Sequence, residues 1–227
     1  MAQEDNLRTV IFDLDGTLAD TSADLIRAAN DCFAAAGHAR PLDPVADMGT
    51  AFHGGRAMLR LGAARLRLDW DEAAIDAAFP VFLELYERGI DRETRLYAGV
   101  REALSALAAA GVRLGVCTNK PERLAAILLD RLGIAGAFGA LVGADTLPVR
   151  KPDPAPLLAA VERAGGSRER AILVGDTETD ARTARAAGVR SVLVTFGPEG
   201  AAVRRFAPDA TLDRFEDLPA MVEALGL

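Results

Sequence analysis

The stretch VIFDLDGTLAD, residues 10–20, breaks off an apolar run with two carboxylates, Asp13 and Asp15, followed at once by Gly16 and Thr17. Alternation along a strand sends side chains at i and i+2 to the same side, so both acids address one ligand as the chain leaves its strand. Neighbouring carboxylates repel, and they hold different protonation states or share a cation. That permits a division of labour, with Asp13 attacking an electrophile and Asp15 serving as acid and then base. Gly16 lets the chain turn sharply and is expected to bring backbone N–H groups near an anion. A bare strand-ending turn is the competing reading, since Asp-Gly is a common turn dipeptide.

Three later segments reduce its weight. CTNKP (117–121) sets Thr118 and Asn119 at a strand end, where a hydroxyl and an amide donate hydrogen bonds to phosphate oxygens without adding charge. A helix cap at Asn119 is the plainer alternative and is compatible with that role. RKPDP (150–154) offers Lys151, a cation able to neutralise both an attacking carboxylate and a phosphoryl group. GDTETD (175–180) adds Asp176 and, four residues on, Asp180. Hard oxygen ligands of this kind suit Mg²⁺, with Asp13 and Asp176 as the direct pair. Asp180 reads equally as a water-mediated ligand, as a group orienting Lys151, or as an exposed acid in the first turn of a helix. Of the 26 basic residues only Lys120 and Lys151 are lysines, which hints at places needing a compact ammonium rather than a planar fork.

These segments need a scaffold that brings them together. Apolar runs at 9–15, 113–119, 140–145, 171–176 and 191–196 read as strands, and alanine- and leucine-rich stretches ending in glycine read as helices between them. The alternation predicts an α/β fold, a Rossmann-like parallel sheet covered on both faces. In such sheets ligands sit beyond the carboxyl ends of the strands, where the winding reverses. Residues 18–90 interrupt the pattern with helical segments only, which predicts an inserted all-helical cap. The expected division is a discontinuous core of residues 1–17 and 95–227 around a cap of residues 18–94, with linkers near 17–20 and 90–96.

The 227 residues are half hydrophobic and a quarter charged, with a net charge of -7 and no basic tract, which argues against nucleic acid as a partner. The N-terminal residues lack a secretory pattern, and no apolar run is long enough to span a bilayer. Cys32 and Cys117 read as small buried hydrophobes. A cytoplasmic protein, monomer or homodimer, is expected.

Taken in order, DLDGT, the strand-end Thr118, Lys151 before proline and GDTETD resemble the four motifs of the haloacid dehalogenase-like hydrolases. The resemblance spans almost the whole chain, and the helical insert is similar to the type 1 cap of that superfamily. FDLDGTLADT, VCTNKPERL, RKPDPAPLL, VGDTETDARTARAAGV and TFGPEG look like its phosphoglycolate phosphatase group. What the resemblance implies is a Mg²⁺-dependent phosphatase of a small phosphorylated metabolite, working through an aspartyl-phosphate. Asp13 is then the nucleophile, and Asp15 protonates the leaving alkoxide and activates water. Thr118 and Lys151 hold the phosphoryl group. Asp13, the carbonyl of Asp15, and Asp176 bind the metal, while Gly16, Thr17 and Asp180 support them. Thr177 and Thr179 replace the serine and asparagine often found in the fourth motif, which bears on how Asp180 and Lys151 are held.

Asp15 argues against the family's dehalogenation at carbon, and the absence of lysine from residues 18–90 argues against phosphonatase chemistry. Another sugar or amino-sugar phosphatase, a β-phosphoglucomutase-like mutase and a phosphometabolite-binding protein remain as alternatives. In the cap, GTAFHGGRAML (49–59) offers Arg56, and next His53, to a substrate carboxylate; solvation of the arginine and packing of the histidine are the competing readings. Phe79, Phe82, Leu83 and Tyr86 recur at helical spacing and read as cap core or as a contact of the cap with the core domain, not as a cofactor site, and Trp70 as packing or a dimer contact.

Overall fold

The computed structural model describes residues 8–225. The leader and the last two residues, on which the secretory reading and the outer domain limits partly rest, lie outside them. Six strands form one parallel sheet: β1 (Thr9–Phe12), β4 (Arg113–Cys117), β5 (Ala140–Val142), β6 (Ala171–Gly175), β7 (Arg190–Val194) and β8 (Ala210–Leu212). Their order is β5-β4-β1-β6-β7-β8, so β1 lies centrally and the winding reverses around it. Val10, Ile11 and Phe12 are wholly buried, as a strand covered on both faces requires.

The two faces of β1 show what covers it. Ile11 belongs to a cluster with Leu157, Val161 and Ala184 from the helices α7 (Ala155–Arg163) and α8 (Glu178–Ala187). Phe12 points the other way and meets Phe138 edge-on at 6.1 Å and Phe215 at 6.5 Å between ring centroids. Burial of such rings contributes on the order of 2–3 kcal/mol each. The helices stop where glycine was expected to stop them. Gly188 closes α8 at φ 66°, a conformation other residues adopt at a cost, and its N–H returns to carbonyls of the last turn.

The described chain separates into two compact units, one running to Ala19 and resuming at Leu96, the other spanning Asp20–Arg95. Short strands β2 (Ala19–Asp20) and β3 (Arg95–Leu96) pair as a ribbon along the chain's exit and return. These strands, β8 and the last helix α9 (Leu218–Ala224) were not foreseen. Two or three residues of strand carry no detectable period.

The second unit contains α1 (Ser22–Ala35), α2 (Met48–Ala51), α3 (Gly55–Arg65) and α4 (Glu72–Glu87). Its core holds Ile26, Phe33, Met58, Leu59, Ile75, Phe82 and Tyr86. The aromatic run packs as its spacing predicts, with Phe82 stacked between Phe79 (5.9 Å) and Tyr86 (6.2 Å). Trp70 stacks on Phe33 at 5.1 Å, so its ring serves packing inside this unit. Phe33 and Phe82 also press on Gly62 and Gly55, where a Cβ would collide with the rings.

Candidate active site

Sheet register places the chemistry. Phe12 pairs with Val116 on one side and Val174 on the other, and the next N–H, of Asp13, still donates to the Val174 carbonyl at 2.8 Å. The strand ends beyond β1, β4 and β6 therefore bring Asp13, Thr118 and Asp176 to one edge. Asp15 follows in a tight loop, bridged to Ala19. Gly16 turns that loop at φ 83°. Its own N–H donates to the Ala19 carbonyl at 2.9 Å, so this amide closes the turn.

Lys151 is the centre of the charge arrangement. Its side chain is 1% exposed, and Nζ lies 3.1 Å from Asp13 Oδ2 and 2.7 Å from Asp180 Oδ1. Burial alone would lower its pKa, but the carboxylates of Asp13 and Asp180 outweigh this and hold the ammonium above its ordinary value. Asp13 moves the other way. Burial raises it to about 6, reinforced by the charges of Asp180 and Asp15 and moderated by Lys151 and by the Leu14 N–H, which donates to Oδ1 at 2.7 Å. Cys117, beside them, is pushed up to about 12 by burial and is chemically quiet.

Asp180 is decided by its hydrogen bonds. It is buried, not an exposed first-turn acid. While Oδ1 accepts from Lys151, Oδ2 accepts from the N–H groups of Asp176 (3.3 Å) and Thr177 (3.1 Å) and from the Thr177 hydroxyl (2.7 Å). With the Thr177 hydroxyl facing the Asp180 amide, this makes the capping box that starts α8. The threonine standing for the usual serine thus holds the residue that holds Lys151. Gly175 is needed here because a Cβ would occupy the place of the Asp180 carboxylate.

Asp176 is fully buried, and only one of its oxygens is satisfied. Oδ1 accepts from the Thr17 hydroxyl at 2.9 Å; Oδ2 is buried without a hydrogen-bond partner. Burial, with the charges of Asp180 and Asp13, raises its pKa well above the carboxylate range. One carboxylate oxygen from each of Asp13, Asp176 and Asp180 lies within 4.8 Å of the others. An orphaned, buried, hard oxygen beside a second carboxylate is what a divalent cation such as Mg²⁺ would satisfy. The donor set fits. Asp180 contributes from behind, its oxygens already engaged.

The remaining predicted residues divide. Thr118 is buried at the end of β4, its hydroxyl oxygen accepting the Lys120 N–H at 3.2 Å, which leaves its own O–H to donate. Asn119 donates from Nδ2 to the Lys151 carbonyl at 3.0 Å, tying the second segment to the third, a use the sequence did not suggest. Arg56 and His53 belong to the helical unit and are engaged inside it. The Arg56 guanidinium meets Asp76 at 2.8 Å and covers the Phe79 ring at 3.7 Å, and His53 Nδ1 lies 2.8 Å from the Gly49 carbonyl. The residue overlooked is Lys120. It is buried, and its Nζ donates to both oxygens of Asp15, at 2.9 and 3.0 Å. Its signal was the scarcity of lysine, which marked both buried ammoniums of the site.

The family model of the haloacid dehalogenase-like hydrolases matches residues 7–188, which contain every acid and lysine described above. The chain belongs to this family. Among members with assigned names, the phosphoglycolate phosphatase of Agrobacterium fabrum is 42% identical over 217 residues, covering 95% of this chain and 92% of its own. That of Caulobacter vibrioides is 40% identical, with coverage of 94% and 90%. The crystal structure of a predicted phosphoglycolate phosphatase from Haemophilus somnus superposes with a TM-score of 0.83 at 26% identity, covering 97% of this chain and 99% of that one. The α/β haloacid dehalogenase-like fold expected from the sequence is the fold observed. No helix among the described residues is long and apolar enough to cross a membrane.

Proposed function

We propose that the protein is a Mg²⁺-dependent phosphomonoester hydrolase acting on 2-phosphoglycolate, with Asp13 as the nucleophile. The observation that carries the reading is the setting of Asp13: 3.1 Å from a buried ammonium and beside Asp176, one of whose oxygens has no hydrogen-bond partner among the described residues. A structural acid has no use for both. The named relatives supply the substrate.

Asp13 attacks phosphorus through a carboxylate oxygen, and the bond to the ester oxygen breaks as Asp15 gives that oxygen its proton. Glycolate leaves, and the phosphoryl group remains on Asp13. Asp15, now ionised, takes a proton from water, the water oxygen bonds to phosphorus, and the bond to Asp13 breaks. Lys151 stays paired with the phosphoryl charge, the Thr118 hydroxyl donates to it, and Asp180 holds Lys151 in place. Mg²⁺ would be held by the carboxylates of Asp13 and Asp176 and the carbonyl of Asp15, and would supply neutralisation of the phosphoryl charge. The chemistry lies in the α/β unit. The two free, buried cysteines accord with a cytoplasmic setting.

The test is phosphate release from a panel of phosphomonoesters, with and without Mg²⁺. Wild-type protein is expected to favour phosphoglycolate and to lose turnover on chelation. Asp13→Asn is expected to lower kcat by roughly 10⁴-fold or more. Turnover retained in that variant would remove the nucleophile assignment.

A further inference from the structure

Lys120 stands apart from the roles assigned so far. Both ends of the residue are anchored, its N–H on the Thr118 hydroxyl at 3.2 Å and its carbonyl accepting the Ala144 N–H at 3.0 Å. Its side chain is 3% exposed, and Nζ bridges the two oxygens of Asp15. A lysine so fixed is a preorganised point charge, unlike a surface lysine whose long stem must be immobilised on binding.

The position of that charge bears on which ester the site accepts. Asp15 must contact the ester oxygen to protonate it, and Lys120 contacts Asp15. The ester oxygen therefore lies within two hydrogen-bond lengths of Nζ, about 6 Å or less. In 2-phosphoglycolate one carbon separates the ester oxygen from a carboxylate, a span that fits the interval. The charge balance points the same way. Among the described residues Asp15 is paired with Lys120, and Lys151 already lies between Asp13 and Asp180. A second anionic group on the substrate needs a cation of its own, and the one against Asp15 is Lys120. The arginine expected to fill this role, Arg56, is balanced by Asp76 and stacked on Phe79.

We propose that Lys120 is the specificity-determining residue of the reaction: its ammonium, fixed against Asp15, receives the substrate carboxylate and selects phosphomonoesters bearing an acid one carbon from the ester oxygen. This inference rests on the phosphatase reading, and the experiment separates the two. Wild type and Lys120→Met are assayed with Mg²⁺ on phosphoglycolate and on 2-hydroxyethyl phosphate, which replaces the carboxylate by a neutral group. For Lys120→Met, kcat/KM on phosphoglycolate should fall about 100-fold or more, mainly through KM. On the neutral ester it should fall less than about tenfold, so that the preference disappears.

Equal losses on both esters, carried by kcat, would overturn the proposal and leave Lys120 serving Asp15 alone. Equal wild-type rates on both esters would also overturn it while the phosphatase reading stands. No release from either ester by wild type would overturn both. Should Lys120→Met fail to fold, calorimetry on Asp13→Asn decides instead. Phosphoglycolate should bind that variant at least about tenfold more tightly than 2-hydroxyethyl phosphate, and equal affinities would overturn the proposal.

Discussion

Two buried aspartates, one in each unit, are treated in opposite ways. Asp24 in α1 and Asp176 after β6 are both wholly inaccessible to solvent. Asp24 is satisfied by its own unit: Oδ2 accepts from the N–H groups of Glu93 and Thr94 and from the Thr94 hydroxyl, each at 2.9 Å, and Oδ1 faces Arg27 at 3.4 Å. Asp176 has one hydroxyl donor on Oδ1 and none on Oδ2, with two further carboxylates nearby. Burial of a charge is thus not by itself a sign of function. A carboxylate whose donors come from its own fold fastens chain segments together, whereas one left half-satisfied among like charges is completed only by a ligand from outside.

The contrast can be broken most directly at Asp24. Asp24→Ala strands three donors around a buried site, and the expected loss is about 3–5 kcal/mol of stability, read by denaturant unfolding, with kcat per folded molecule unchanged. A smaller effect below about 1 kcal/mol would show that the clasp is ornamental. At Asp176 the sign should reverse. Asp176→Asn is expected to weaken Mg²⁺ binding by about 100-fold or more in a calorimetric titration. In chelator it should raise the melting temperature, because a repelling buried charge has gone. Destabilisation in chelator would mean that Asp176 is structural after all.

The pH dependence sharpens the same point. Asp13 in the fold titrates at about 6 rather than 3.8, and Asp176 is raised as well, so the folded protein keeps protons that the unfolded chain has released. Metal-free stability should therefore fall as pH rises between about 4 and 6, and the part due to Asp13 should level off above that. Saturating Mg²⁺ should abolish the fall, since a bound cation favours the ionised carboxylates. Melting curves with chelator and with Mg²⁺ across this range measure both. The smallest effect is expected at Arg56, whose side chain is 37% exposed. Arg56→Ala should cost less than about 1 kcal/mol of stability and change kcat/KM on phosphoglycolate by no more than about threefold. A larger kinetic loss would return the carboxylate to the helical unit.

Much of the site was legible in advance, because its residues lie at the ends of apolar runs whose period and composition announce buried strands. Asp13, Asp15, Thr118 and Asp176 are local signals of that kind. Lys151 and Asp180 were legible as candidates, and their partnership, across 29 positions of sequence, was one of several readings of Asp180. Asp180 carried several readings until its capping box and its bond to Lys151 were seen. Lys120 was visible only as an unusual residue type, since nothing local couples it to an acid 105 positions away.

Residue type and spacing by themselves determined that this chain forms a doubly covered parallel sheet interrupted by helices, and that paired acids leave its first strand. Those features follow from hydrophobic period and from where apolar runs end, both of them local. Only the tertiary structure decided which carboxylates are satisfied, which lysine meets which acid, and which donor is already engaged. Hydrogen bonds and desolvation depend on atoms within a few ångströms in space, and the sheet assembles that neighbourhood from four segments spread over most of the chain.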